Sequence, residues 1–308
     1  MIIGIVEDKF TATSWYRTHG VFAKLCKRYP DIQIKSLTSE VNYKDLVYLD
    51  TILLSRPSGS RYIPLIDTCK QLGIKVWIDF DDDVFSIPYH NPAYFGYKDH
   101  KGISECIVKA DIVTASTDAL AISLTENGAT KVETIHNSIE LLPYKEPVLS
   151  NRIAWRGSTT HVADLEVYKD VFTRLSKKYE LAFYGYAPHW KINFQFVNGT
   201  NLFDFYNTFY NDNLSFVLTP LENCKFNYAK SNIAWLEATN AGAVCFTNLT
   251  TKEWQWESIL KNPEILLTKS KEQLVKIHKQ AYELSRTIIS QQYNIEDAIE
   301  KYRELVYT

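Results

Sequence analysis

A two-domain α/β protein with parallel sheets is what this sequence predicts, and three observations carry that expectation. Short apolar runs alternate with amphipathic stretches along the whole chain, the pattern of strands joined by crossover helices. The alternation breaks at an irregular, proline-bearing segment, "KVETIHNSIELLPYKEPVLSNR" (131–152), and then restarts. The length, 308 residues, is too great for one ordinary core and suits two of roughly 150 residues each.

The elements follow in order. The first half offers strands at 2–6, 32–37, 51–55, 74–79, 111–115 and 131–135, with helical patterns between them at 17–29 and 61–72, the latter closed by Gly73. The second half offers strands at 152–155, 180–186, 214–220 and 243–246, helices at 161–178 and 229–241, and a long amphipathic helical tail at 271–306. Two Rossmann-like domains result, 1–148 and 149–290, with parallel sheets facing a central cleft. The end of the tail, 291–308, is expected to pack back toward the N-terminal domain. A ligand of such sheets sits at the carboxyl ends of the strands.

Bulk chemistry narrows the class. A net charge of −2 and 45% hydrophobic residues describe an ordinary globular chain without a bulk pull toward nucleic acid. Five scattered cysteines with no CxxC pair read as reduced thiols in a cytoplasmic protein. "MIIGIVEDKF" reads as a first strand, not a signal peptide, and no apolar run approaches a membrane span. No GxGxxG or Walker fingerprint is present, and oligomeric state is not legible.

Chemistry concentrates in "KFNYAKSNIAWLEATNAGAVCF" (225–246). On a helix over 229–241, Lys230 and Glu237 are seven residues, nearly two turns, apart and share one face at a separation of about 10 Å. A lysine beside Ser231 at a helix start suits phosphate. A carboxylate two turns on suits a ribose hydroxyl pair. The alternative is a capped helix whose Glu237 pairs with an arginine. A second anion cradle lies in "RIAWRGSTTHVADLE" (152–166), where a strand ends in Arg156-Gly157-Ser158. Gly157 permits close backbone approach and Arg156 brings a guanidinium fork. Two cradles at strand-to-helix turns point to one diphosphate.

These residues also carry a resemblance. Segment 217–248 resembles the donor-binding segment of retaining GT-B glycosyltransferases of the glycogen-synthase-like superfamily (glycosyltransferase family 4-like), nearest to their short bacteriophage-type variants. The shared pattern is Pro-Leu…Phe-Asn…Lys-Ser…Glu…Gly. "AWRGSTTH" resembles their phosphate loop, "KVETIHNSIEL" their hinge, "WIDFDDDVF" the acidic strand end of their first domain, and "SWYRTHGVFAKL" their first loop and helix. The resemblance implies an N-terminal acceptor domain and a C-terminal donor domain.

It further implies transfer of a sugar from a nucleotide-diphosphate sugar, UDP being the common nucleotide, to an acceptor hydroxyl with retention. Glu237 would then hold the ribose, and Arg156, Gly157, Ser158, Lys230 and Ser231 the diphosphate. The superfamily's first signature glutamate, which touches the sugar, would fall on Ala229. Asn227, Glu222 or Asn223 could replace it. Arg156, Lys230, Asp81 and Asp82 become the catalytic candidates, and Arg17, Tyr89 and His90 the acceptor-side candidates.

No permanently bound cofactor and no metal are expected, although the cluster Asp79, Asp81, Asp82, Asp83 contains an Asp-x-Asp. Asp83 can equally serve as a loop cap. The acceptor is either a glycan or a hydroxymethylated base of phage DNA, flipped into the cleft. A nucleotide-sugar epimerase of the same fold and a non-catalytic nucleotide-sugar-binding protein are the rival readings.

Overall fold

The structure, a computed structural model, describes residues 1–7, 10–198 and 201–308. Contacts divide it into two compact units. The first comprises Met1–Ser138, Ala229–Ser231 and Ile295–Thr308, the second Ile139–Tyr228 and Asn232–Asn294. The division at Ser138 lies within the proline-bearing segment 131–152, ten residues ahead of the boundary at 148 expected from sequence.

The first unit is built on a six-stranded, all-parallel sheet of β1 (Ile2–Val6), β2 (Gln33–Leu37), β3 (Thr51–Ser55), β4 (Lys75–Phe80), β5 (Ile112–Ala115) and β6 (Glu133–Thr134). Its strand order is β2-β1-β3-β4-β5-β6. The interior strand β4, KVWIDF, is buried along almost its whole length, as a strand covered on both faces requires. The edge strand β2, QIKSL, carries polar side chains and stays partly exposed, which blunts the edge.

Helix Ile295–Tyr307 belongs to this unit. Its Ile295, Ile299, Tyr302 and Val306 share a core with Ile3, Phe22 and Trp77, and Tyr302 stacks on Trp77 with centroids 5.7 Å apart. Arg28 on helix His19–Arg28 pairs with Glu300 at 3.2 Å.

The second unit holds a five-stranded parallel sheet of β7 (Arg152–Arg156), β8 (Glu180–Tyr184), β9 (Gln195–Val197), β10 (Phe216–Leu218) and β11 (Val244–Phe246), ordered β11-β10-β7-β8-β9. The sequence reading misses β9, which is three residues long and has Gln195 and Phe196 exposed. The expected helix over 161–178 is interrupted. A 3-10 turn (Thr159–His161) leads into Val162–Glu166, and a further helix starts at Lys169. Helix Leu202–Asn211 was not anticipated either.

The long helix Lys271–Gln292 opens with a reciprocal cap between Ser270 and Gln273 and closes the core of this unit. His278 sits inside that core at 1% exposure, edge-on to Phe216 and parallel to Tyr282. Burial depresses its pKa to about 4. The unfolded chain, at the ordinary value near 6.5, therefore binds the proton first. His278 contributes no pH dependence above about 6.5, and stability of the second unit is lost as pH falls from there to about 4. The loss is on the order of 3 kcal/mol. Urea titrations of wild type and His278→Leu across that window should show the slope in the first and a flatter profile in the second.

Candidate functional site

Strand order locates the ligand-binding end of each unit. In an open parallel sheet the strand order reverses at one place, and the crevice lies outside the carboxyl ends of the two strands there. In the second unit that place is β7 beside β10, which are paired in register Phe216↔Ile153. In the first it is β1 beside β3.

At the β7 end, Arg156 reaches the carboxylate of Glu237, Nη2 to Oε2 2.6 Å, with side-chain exposures of 19% and 3%. The hydroxyl of Tyr206, on helix Leu202–Asn211, donates to Glu237 Oε1 at 3.2 Å. Glu237 lies on helix Ile233–Asn240, every residue of which from Ala234 onward is buried. A carboxylate in such a helix is tolerable because it is paired and hydrogen-bonded. The arginine pairing weighed as an alternative from sequence is thus present, and its partner is Arg156, the other cradle.

Gly157 donates its N–H to the carbonyl of Tyr184 at 3.0 Å. The loop after β8 closes in at Gly185, which has φ +86 and where a Cβ would stand 2.6 Å from the Gly157 carbonyl oxygen. Only glycine permits that approach. Ser158 is exposed, and its hydroxyl accepts from the N–H of Thr160 at 3.4 Å.

Asn227 is 2% exposed, in the single helical turn Lys225–Tyr228 of the connection that follows β10. Its Nδ2 donates to Asp164 Oδ1 at 2.6 Å and to the carbonyl of Glu222 at 3.0 Å. Asp164 also accepts from the N–H of Glu222 at 2.8 Å and contacts His161 Nδ1 at 2.8 Å. One buried carboxylate on helix Val162–Glu166 therefore ties the connection after β7 to the connection after β10.

Lys230 corrects the sequence reading. The helix starts at Ile233, with Asn232 at its cap position, so Lys230 is not on the helix that carries Glu237. The segment Ala229–Ser231 belongs to the first unit. There the Ala229 carbonyl accepts from Thr117 Oγ1 at 2.7 Å, and Ser231 Oγ accepts from Asn137 Nδ2 at 2.9 Å. Asn232 Nδ2 goes to the Glu253 carbonyl at 3.0 Å. These bonds hold the backbone out of a helical turn, and the shared-face spacing of Lys230 and Glu237 does not exist.

The first unit gathers the acidic cluster at its own strand ends, with each carboxylate in different company. Asp79, at 0% exposure, accepts from Arg17 Nη2 at 2.6 Å and from Thr114 Oγ1 at 2.6 Å. Asp81 accepts from Thr13 Oγ1 at 2.7 Å and pairs with Arg56 Nε at 3.2 Å. Burial lifts the Asp81 carboxyl above its ordinary range. Neighbouring Asp82 and Asp79 add to that, and Arg56 opposes it. Asp82 pairs with Lys230 Nζ at 3.3 Å. Asp83 accepts from Ser123 Oγ at 2.9 Å and from the Phe85 N–H at 3.2 Å, which is the loop-capping role.

Arg17 is a second correction. It was expected on the acceptor side, but it has 0% exposure and is spent on Asp79, the carbonyl of Ile135 and Asn137 Oδ1. Tyr89 and His90 do face solvent. Tyr89 is 72% exposed and meets Tyr94 and Phe95 edge-on, with centroids 5.2 and 5.8 Å apart.

Sequence reasoning missed Arg56, Tyr206 and Asp164. Arg56 follows β3 directly in "LSRPSG" with φ +48, rare for a non-glycine residue. A charged residue followed by Pro-Ser-Gly at a strand end was the available signal. Asp164 stands three residues after His161, a helical neighbour spacing. Tyr206 lies in the aromatic run "LFDFYNTFY" (202–210), which alone names no partner.

No family model and no curated protein matches the chain. Solved structures do. Anabaena Alr3699/HepE in complex with UDP-glucose is similar at TM-score 0.70 and 10% identity, covering 100% of this chain and 99% of that one. Sucrose-phosphate synthase from Thermosynechococcus elongatus is similar at TM-score 0.73 and 9% identity, with coverages of 99% and 98%. UDP-GlcNAc 2-epimerase from Neisseria meningitidis bound to UDP-GlcNAc reaches TM-score 0.57 at 9% identity, over 100% of both chains. At such identities the likeness is one of fold. The chain has the GT-B fold of two Rossmann-like domains.

Proposed function

We propose that this protein transfers a sugar from a nucleotide-diphosphate sugar, a UDP-sugar first among them, to an acceptor hydroxyl with retention of configuration. The observation that carries the reading is the Arg156–Glu237 pair, 2.6 Å apart at the β7–β10 end of the second sheet. A guanidinium and a buried carboxylate side by side match the two halves of a nucleoside diphosphate, phosphate and ribose. Support comes from the similar structures, which hold UDP-glucose and UDP-GlcNAc.

In this reading Glu237 accepts from the ribose hydroxyls. Arg156, held in place by Glu237, meets the diphosphate beside the Gly157 backbone and the Ser158 hydroxyl. Lys230 and Ser231 keep the diphosphate role that their motif carries. As the glycosidic bond loosens toward an oxocarbenium-like state, the cations stabilise the departing diphosphate. The leaving phosphate oxygen takes the acceptor proton, so no nucleophilic side chain is needed. Asp81 and Asp82 are assigned to sugar or acceptor hydroxyls, Tyr89 and His90 to the acceptor side. A glycan is the preferred acceptor over a modified DNA base, because the chain is near neutral and shows no bulk basic character.

Calorimetry with UDP, GDP and ADP tests the donor site. One diphosphate should bind, and Lys230→Ala should weaken it about tenfold, the scale of one charge-assisted bond. If none of the three binds the wild type, the donor reading is wrong. The epimerase reading has one observation behind it, the similarity to UDP-GlcNAc 2-epimerase over the full chain. Conversion of the bound UDP-sugar to its epimer without any acceptor would establish it instead.

A further inference from the structure

We propose that Asn227 reads a hydroxyl of the donor sugar through its side-chain oxygen, and that Asp164 is the residue that positions it. The inference rests on the donor reading above and adds which group meets the sugar.

The orientation of the Asn227 amide is fixed by chemistry. Its two neighbours on one side, Asp164 Oδ1 at 2.6 Å and the Glu222 carbonyl at 3.0 Å, are both acceptors. Only the amide nitrogen can face them, since a flipped amide would set oxygen against carboxylate. Oδ1 is thereby pointed the other way, and it is buried with no hydrogen-bond partner among the described residues. A buried acceptor left without a donor is costly, and native structures keep very few of them.

Asp164 is itself 5% exposed and is anchored by the Glu222 N–H and His161 Nδ1. The amide therefore cannot rotate to satisfy itself without breaking that junction. Asp164 touches no ligand in this scheme and acts through Asn227.

What Oδ1 accepts follows from what a nucleotide sugar offers. Diphosphate oxygens are acceptors and are repelled. The ribose hydroxyls have the Glu237 carboxylate. The remaining donors are the hydroxyls of the transferred sugar and the N–H of the base. The position of Asn227 in the connection after β10, at the point where strand order reverses, puts it on the ligand-binding end of its sheet. A neutral amide oxygen held by a rigid shell discriminates for a hydroxyl against its absence.

The experiment is calorimetry on the full chain with UDP, UDP-glucose, UDP-galactose and UDP-GlcNAc. The sugar nucleotide that binds most tightly is then compared with its series of single-deoxy analogues. Asn227→Ala should weaken that sugar nucleotide about tenfold while leaving UDP within twofold. The penalty should vanish for one deoxy analogue alone, the one lacking the hydroxyl that Oδ1 accepts. Asp164→Ala should reproduce the same pattern, because it removes the one oxygen that accepts from both the Asn227 nitrogen and the Glu222 N–H. Should Asn227→Ala not fold, Asn227→Ser gives the same comparison.

Equal weakening of UDP and of the sugar nucleotide would overturn the proposal and assign Asn227 to the base or to the loop's own packing. So would a penalty that persists across every deoxy analogue. If wild type binds the sugar nucleotides no better than UDP, the sugar is not read here at all. Failure of UDP itself to bind wild type would instead remove the donor reading.

Discussion

Arg17→Ala is expected to destabilise the first unit by about 3–5 kcal/mol, the cost of leaving one member of a buried ion pair without the other. Both side chains have 0% exposure. Arg17 donates twice to Asp79, to the carbonyl of Ile135 and to Asn137 Oδ1. Burial works against its charge, but Asp79 prevails and Arg17 stays protonated. Its guanidinium also lies 6.0 Å from the Tyr302 ring centroid, on the C-terminal helix.

One side chain thus ties the helix Ala12–Arg17, strand β4, the segment after β6 and the last helix into a single core. Removing it strands Asp79 with Thr114 as its remaining side-chain donor among the described residues. Urea denaturation should show an earlier first transition with the second unit's transition in place. Replacing the pair together, Arg17→Met with Asp79→Leu, should recover most of the loss, since the penalty belongs to the orphaned carboxylate. A loss below about 1 kcal/mol in the single variant would mean that the pair stabilises little and that Arg17 is available for another role.

The pair also shows what a sequence can and cannot disclose. Strand β4 was legible because "KVWID" is apolar and bounded by Gly73 and the aspartates. Apolar runs likewise mark β1, β3 and β5, and all six strands of the first sheet were expected within a few residues of their observed positions, although β2 (QIKSL) and β6 (Glu133–Thr134) are largely polar. Strand β9 escaped because Gln195 and Phe196 are exposed and nothing alternates over three residues.

The site was legible as residue types and not as partners. Arg156, Glu237, Lys230 and Asp82 were all singled out. Their pairing, Arg156 with Glu237 and Lys230 with Asp82, depends on contacts between residues separated by 81 and 148 positions (237 − 156 and 230 − 82). Helix periodicity reports neighbours within a turn or two and has no access to such distances. It misplaced Lys230 for that reason. Three tertiary hydrogen bonds, from Thr117, from Asn137 and to the Glu253 carbonyl, outweigh the helix propensity of residues 229–232.

Arg156→Ala should lower turnover about 100- to 1000-fold, the loss of one preorganised charge at the developing diphosphate. Turnover is read as UDP released from the UDP-sugar that binds. Arg156 sits 19% exposed with its guanidinium on Glu237, so it is held in place before any ligand arrives and little reorganisation is needed for it to meet phosphate. Glu237→Gln separates the two halves of the pair. It removes the carboxylate charge but keeps an acceptor for the Tyr206 hydroxyl and for ribose, so its main cost should fall on donor affinity, about tenfold, with turnover at saturation less affected. Arg156→Lys keeps the charge and loses the fork, and should recover only part of the rate. Because Arg156→Ala also leaves a buried carboxylate with less company, thermal unfolding of the second unit is measured alongside. A rate loss in protein that remains folded at the assay temperature is chemical in origin. Turnover within threefold of wild type in Arg156→Ala would remove Arg156 from the diphosphate and return the pair to a purely structural role.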